Sequence, residues 1–336
     1  MRGFLIKLGI GVVGLLLLLY FGSIDLAVLG KAFHRPDFLL LAFLCLLATI
    51  PMGAWRWWML LRGLQFRVAF TWAQNITFIS LFFHTFLPGA QGGDLVRVAM
   101  AYRAAGGEFS RVMFSVVVDR LTGLTALLVL GLTTLPLLPS AYSHRLIWVA
   151  AIAVAAGAIG VFLGLRFSGT IVRLVGRLPA PVGPAAAAVI GEFAVALQAY
   201  AARPLIIVVA VLISIVQYGL VLAALMLLGN AMEFRGLSFS GYIIAGAWSL
   251  VANGLPITPG GIGVGEAAFG QVASALASPG SGTGFGTIFL AMRVLTIVLG
   301  VIAVVPWLMY RNDVRAGLTL VRSADRHEKQ AVQGAK

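Results

Sequence analysis

Twice in this chain an apolar stretch long enough to enter a membrane is interrupted by proline and glycine and then resumes on an acid: at Phe86-Leu-Pro-Gly-Ala-Gln-Gly-Gly-Asp-Leu-Val-Arg97 and at Pro256-Ile-Thr-Pro-Gly-Gly-Ile-Gly-Val-Gly-Glu266. Lipid offers no hydrogen-bond partner to the N–H and C=O groups freed at such a break, so the break must be buried in protein or line a cavity. The requirement leaves helices throughout, with two broken ones held inside. Broken segments in corresponding halves of a membrane chain are the usual pointer to a transporter's binding site.

The surrounding sequence supplies the membrane. A chain 60% hydrophobic and 10% charged, with a mean hydropathy of +1.01, is polytopic rather than a soluble domain. Its net charge of +13 would suggest nucleic-acid binding in a soluble protein. Here the Lys and Arg residues cluster between apolar segments, which is positive-inside patterning, and no nucleic-acid partner is expected. The single cysteine, Cys45, lies in an apolar run, so no disulfide framework and no Cys/His metal spacing arises. Neither metal nor cofactor is expected.

Taken in order, residues 1–22 form a first span starting inside; they resemble a signal peptide but carry no small-x-small cleavage site. A second span, about 38–60, leads to a segment that Arg56, Arg62 and Arg67 place inside. Residues 69–87 and 94–105 read as arms of a re-entrant hairpin. The second arm, about 18 Å long as a helix, is too short for a hydrocarbon core of about 30 Å. Full crossing by both arms would leave the parity unchanged. Spans at about 112–138, 146–165 and 204–228 follow, with a basic connector at 166–203 inside and an amphipathic surface helix at 185–201 within it. A second hairpin at 241–278, a Pro- and Gly-rich linker at 279–284, a last span at about 287–310 and a basic tail at 311–336 complete the chain.

The expected architecture is thus all-α: six full spans and two re-entrant hairpins in one membrane domain, 1–310, with both termini cytoplasmic. The halves, about 1–145 and 146–310, have the same order of parts. Pro88 matches Pro259, Asp94 matches Glu266 and Arg120 matches Arg293, at offsets of 171, 172 and 173. Because one half starts inside and the other outside, the repeats are inverted, and the expected site lies between the hairpins.

Asp94 follows Gly92 and Gly93 and opens a helix, a position that suits an ordinary N-cap as well as an anion site. Arg97, one turn on, joins the free N–H groups as an anion receptor; snorkelling to headgroups is the plainer alternative. Arg120 and Arg293 lie roughly six to eight residues inside their spans, where an arginine costs at least about 2.5–3.5 kcal/mol, so each needs a partner. Asp119 and Asp94 are the candidates for Arg120, and Glu266 for Arg293. A structural pair that only holds its hairpin in place explains each as well as substrate contact does. Pro259, Gly260, Gly261 and Gly263 shape the second turn. Asn75, His84, Gln217 and Asn253 read as interhelical hydrogen-bond formers. The G-x-G-x-x-A match at 263–268 belongs to no strand–helix unit and is set aside. No paired-carboxylate, Ser/His/Asp or metal-ligand set stands in an aqueous loop, so no enzyme activity is expected.

Three ordered motifs, Leu87-Pro-Gly-Ala-Gln-Gly-Gly-Asp-Leu-Val-Arg97, Val118-Asp-Arg-Leu121 and Leu255-Pro-Ile-Thr-Pro-Gly-Gly-Ile-Gly-Val-Gly-Glu266, resemble the flippase-like membrane domain of bacterial lysylphosphatidylglycerol synthases. The resemblance covers nearly the whole chain. A soluble aminoacyl-transferase domain follows the membrane part in the fused synthases and does not follow it here, so a stand-alone member is expected. The resemblance implies movement of a phospholipid or lipid-linked anion across the bacterial inner membrane, with membrane lipids as partners. Two other readings use the same residues: a non-transporting scaffold or regulator of an envelope-lipid enzyme, and an ion-coupled carrier of a soluble anion. A homo-oligomer or an envelope enzyme would be the protein partner.

Overall fold

The computed structural model of the chain describes residues 25–86, 92–104, 109–134, 195–254, 258, 261–281, 283–314, 316, 317 and 319. Among them are helices and connecting turns and no strand. The expected spans at 1–22 and 146–165, most of the 166–203 connector and most of the basic tail lie outside the described residues. So does the 185–201 surface helix, except for helical residues 195–201, where Tyr200 is buried and donates to the Leu60 carbonyl at 3.0 Å.

A short helix, α1 (Leu26–Lys31), is capped by Asp25, whose carboxylate accepts from the Ala27 and Val28 N–H groups. The long helices follow: α2 (Pro36–Gly63), α3 (Phe70–Phe86), α4 (Gly92–Ala104), α5 (Phe109–Thr134), α6 (Pro204–Ala231), α7 (Phe239–Asn253), α8 (Val264–Leu276), α9 (Gly286–Ile302) and α10 (Val304–Val314). Among the described residues α2, α5 and α6 are each long and apolar enough to cross a membrane. The pair α9 and α10, bent by 56°, makes a fourth if it is one span. A mean hydropathy of 2.8 in α6 with only 22% of that window buried leaves apolar surface that water would not tolerate, whereas α5 is 50% buried and more enclosed.

α2 and α6 are built alike. Each has 28 residues, follows an arginine, and carries proline at its first position, where the missing N–H costs nothing. Each ends on a left-handed residue, Gln65 at φ 69° and Glu233 at φ 60°, the positive-φ non-glycines among the described residues. The next N–H then reaches back: Phe66 to the Leu61 carbonyl, Phe234 to the Gly229 carbonyl. α4 and α8 have 13 residues each, with Asp94 and Glu266 both at the third position.

α2 and α6 pack against each other along most of their length and form the centre. The other contacts among α2–α9 come in matched pairs: α3 with α4 and α7 with α8, α3 with α9 and α7 with α5, α2 with α3 and α6 with α7, α4 with α5 and α8 with α9. α2 touches α5 as α6 touches α9, and α2 touches α9 as α6 touches α5. Exchanging α2–α5 for α6–α9 leaves this set of neighbours unchanged.

Candidate functional site

Arg56 is the centre of the charged interior. It stands inside α2, buried, where its fork grips Asp119 of α5 with both arms, Nε to Oδ1 at 2.7 Å and Nη2 to Oδ2 at 3.1 Å. Its remaining nitrogen, Nη1, donates to α6, to Ser214 Oγ at 2.7 Å and Gln217 Oε1 at 2.9 Å. Gln217 returns the link by donating to the Thr49 carbonyl at 3.0 Å. Three helices are therefore held by one guanidinium, whose planar fork suits two-armed pairing in a way that a lysine cannot reproduce.

Asp119 accepts a third bond, from Arg97 Nη1 of α4 at 3.1 Å. The Arg97 guanidinium lies 5.2 Å from the centre of the Trp57 ring, and its buried Nε has no hydrogen-bond partner. Arg97 does not snorkel: only 12% of its side chain is exposed. Arg120, the neighbour of Asp119, is rotated about 100° round α5 and points elsewhere. It meets Asp94 on the first turn of α4 at 2.7 Å and 2.9 Å, with half of its side chain exposed. Asp94 rather than Asp119 is thus the partner of Arg120.

These groups line one cavity of about 200 Å³, walled by α2, α3, α4, α5 and α6 and joined by Ser80 and His84 of α3 and Tyr218 of α6. Three arginines face two carboxylates in it, leaving an excess of one positive charge in a wall of apolar helices. The volume is below the roughly 300–1,000 Å³ of pockets that enclose whole drug-sized ligands, and suits a headgroup-sized anion better. Gly93 keeps α4 close: a Cβ there would strike the Ser80 carbonyl oxygen and come within 3.2 Å of His84 Cβ.

The second hairpin carries a smaller, balanced cluster. Glu266, fully buried on α8, accepts from the Gly263 N–H at 2.9 Å and from Arg293 of α9 at 2.5 Å and 3.3 Å. Arg293 Nη2 also donates to Asn253 Oδ1 at 2.9 Å and to the Gly261 carbonyl at 3.0 Å. Gly261 and Gly263 have φ of 69° and 83°, conformations that a side chain would strain. One arginine meets one carboxylate here, and none of these residues lines the 200 Å³ cavity.

The structure therefore gathers Gly92, Gly93, Asp94, Arg97, Asp119 and Arg120 in one place and Gly261, Gly263, Glu266 and Arg293 in another. Pro259 and Gly260 lie outside the described residues. His84 and Gln217 belong to the first cavity, and Asn253 to the second cluster. Asn75 donates to the Tyr310 hydroxyl at 3.2 Å, away from both. Arg56 escaped sequence reasoning because it stands beside Arg62 and Arg67 and reads as part of a flanking basic segment. The available signal was that apolar sequence continues past it through Trp57, Trp58, Met59, Leu60 and Leu61.

Apolar helices long enough for a bilayer, packed round buried arginine–carboxylate pairs, define a polytopic helical membrane protein. The chain belongs to the family described as the lysylphosphatidylglycerol synthase TM region, which matches residues 4–303. No curated protein and no solved structure matches it.

Proposed function

We propose that this protein translocates a phospholipid or lipid-linked anion across the bacterial inner membrane, and that the cavity bounded by Arg56, Arg97, Arg120, Asp94 and Asp119 receives the anionic group. The observation that carries this reading is the excess of arginine over carboxylate in a cavity among membrane helices. A charge excess in such a wall is costly unless a mobile anion visits it. Arg120 stands half-exposed at the rim, while Arg56 and Arg97 stand deeper, so the charges offer an anion a stepwise path.

The matched neighbours of α2–α5 and α6–α9, with their shared lengths and helix ends, support an inverted repeat of six full spans and two hairpins with both termini cytoplasmic. In this alignment Arg56, Arg97 and Asp119 correspond to Ala224, Phe269 and Met292, all buried and apolar. Among the described residues only the first half keeps a charged interior beyond the pair common to both, so the Glu266–Arg293 pair is the structural member and the first cavity the transporting one. The role is translocation rather than catalysis.

Reconstituted liposomes test this directly. Fluorescent anionic and zwitterionic phospholipids placed in one leaflet should cross faster with protein than without it, with and without an imposed ion gradient. No acceleration for either lipid under any gradient would favour a scaffold or regulator. Uptake of a soluble anion without lipid movement would favour a carrier.

A further inference from the structure

A second cavity, about 490 Å³, opens where the last turn of α2 and the turn after it meet the first turns of α6. Arg62, Arg67 and Arg203 line it, and among the described residues no carboxylate does. None of the three forms an ion pair with a described residue. Arg203 instead directs Nη1 and Nη2 to the side-chain oxygen of Gln65 at 2.8 Å and 3.0 Å, in the amide orientation that satisfies both groups. Arg62 lies over the Trp58 ring, 5.0 Å from its centre. All three guanidinium groups are exposed and lie close to one another.

Apart from Gln65 the rest of the lining is apolar, and part of it faces outward. Leu205 is 74% exposed and Val209 37%, and these two continue the cavity along the outer side of α6. A 28-residue helix is about 42 Å long against a hydrocarbon core of about 30 Å, which puts the ends of α2 and α6 at headgroup level. The cavity is thus charged where headgroups lie and greasy where acyl chains begin.

Positive-inside topology alone would explain three arginines at this end, but it requires neither a hollow nor an apolar flank. The opposite end of the same helix pair makes a comparison, because α2 and α6 exchange places there. Arg203 and Arg67 correspond to Arg35 and Arg235, while Leu205 and Gln65 correspond to Asp37 and Glu233, and Arg62 to Asn230. Arg35 and Asp37 pair at 3.5 Å. Among the described residues one end therefore balances its charges and the other sets three arginines without a carboxylate round a hollow. The shared helix geometry does not require that difference.

We propose that this cavity binds the phosphate of an anionic phospholipid headgroup at the arginine-rich face of the membrane, with the first acyl carbons against Leu205 and Val209. Guanidinium forks match phosphate oxygens in pairs, and basic hollows between membrane helices on the cytoplasmic side are the usual seat of anionic headgroups. The site goes beyond the transport reading: it binds lipid whether or not the protein moves any.

Binding of short-chain phosphatidylglycerol to the purified full chain in detergent tests it, with short-chain phosphatidylcholine and inorganic phosphate as comparisons. Arg67→Gln, Arg203→Gln and the Arg62→Gln/Arg67→Gln/Arg203→Gln triple variant are set against Arg35→Gln/Arg235→Gln at the opposite end. Each arginine near a membrane surface contributes about fivefold to anionic-lipid affinity, so each single variant should bind about fivefold more weakly. The opposite-end variant should keep its phosphatidylglycerol affinity, and phosphate at equal concentration should not compete. Arg67 lies outside any helix, so Arg67→Gln should fold even if the triple variant does not. Unchanged phosphatidylglycerol binding by Arg67→Gln and Arg203→Gln overturns the proposal. Equal competition by inorganic phosphate overturns it in favour of a soluble anion.

Discussion

The two arginines that the sequence marks as buried, Arg120 and Arg293, solve the same problem differently. Glu266 is fully buried and accepts a helix-start N–H as well as the guanidinium, so removing Arg293 strands a carboxylate in the interior. Arg293→Gln should therefore cost about 3–5 kcal/mol. The Glu266→Gln/Arg293→Gln double variant should recover much of that loss, because no lone charge remains; thermal unfolding in detergent reads both. A double variant less stable than Arg293→Gln would contradict the structural role. Arg120→Gln should cost less than Arg293→Gln, since Asp94 stays partly exposed to its cavity whereas Glu266 is fully buried. Depth in a span made both arginines legible in the sequence. Their partners were legible only in part: Asp94 and Asp119 competed for Arg120 until α4 and α5 were placed, and Arg56 hid among flanking charges.

At the scale of elements, the ends of four helices were readable because proline and glycine interrupt a helix, and the bounds of α3, α4, α7 and α8 lie close to those residues. The ends of α2 and α6 were not readable. Gln65 and Glu233 adopt left-handed backbone that non-glycine residues rarely take, and only packing of the following Phe66 and Phe234 makes it worthwhile. Gly93 and Gly261 play different parts: Gly93 allows close approach of α4 to α3, whereas Gly261 combines a positive φ with contact against Asn253. Gly93→Val and Gly261→Val should each lower the yield of monodisperse protein and the melting temperature. Gly219→Ala in α6, with nothing within 4 Å of the new methyl, should do neither and gain up to about 1 kcal/mol. Monodisperse, unshifted Gly93→Val and Gly261→Val proteins would show that neither turn needs its glycine.

For the whole molecule, the class was legible from hydropathy and charge clustering, since a bilayer leaves few alternatives to packed helices. The imbalance between the halves was not legible, because Arg56, Arg97 and Asp119 become neighbours only when α2, α4 and α5 meet. The proposed inverted repeat places the equivalent residues Arg67 and Arg235 on opposite sides of the membrane. On a Cys45→Ser background, a cysteine at Arg235 should be labelled by an impermeant reagent from outside and one at Arg67 only after permeabilisation; labelling of both from outside would contradict the repeat. The central claim, that the charged cavity of the first half carries a lipid anion, is tested most directly by the initial rate of fluorescent phosphatidylglycerol crossing in liposomes containing wild type or Arg97→Gln/Arg120→Gln protein at matched, folded amounts. The account predicts rapid crossing with wild type and a rate at least tenfold lower with the variant. Equal rates for the two proteins would contradict it.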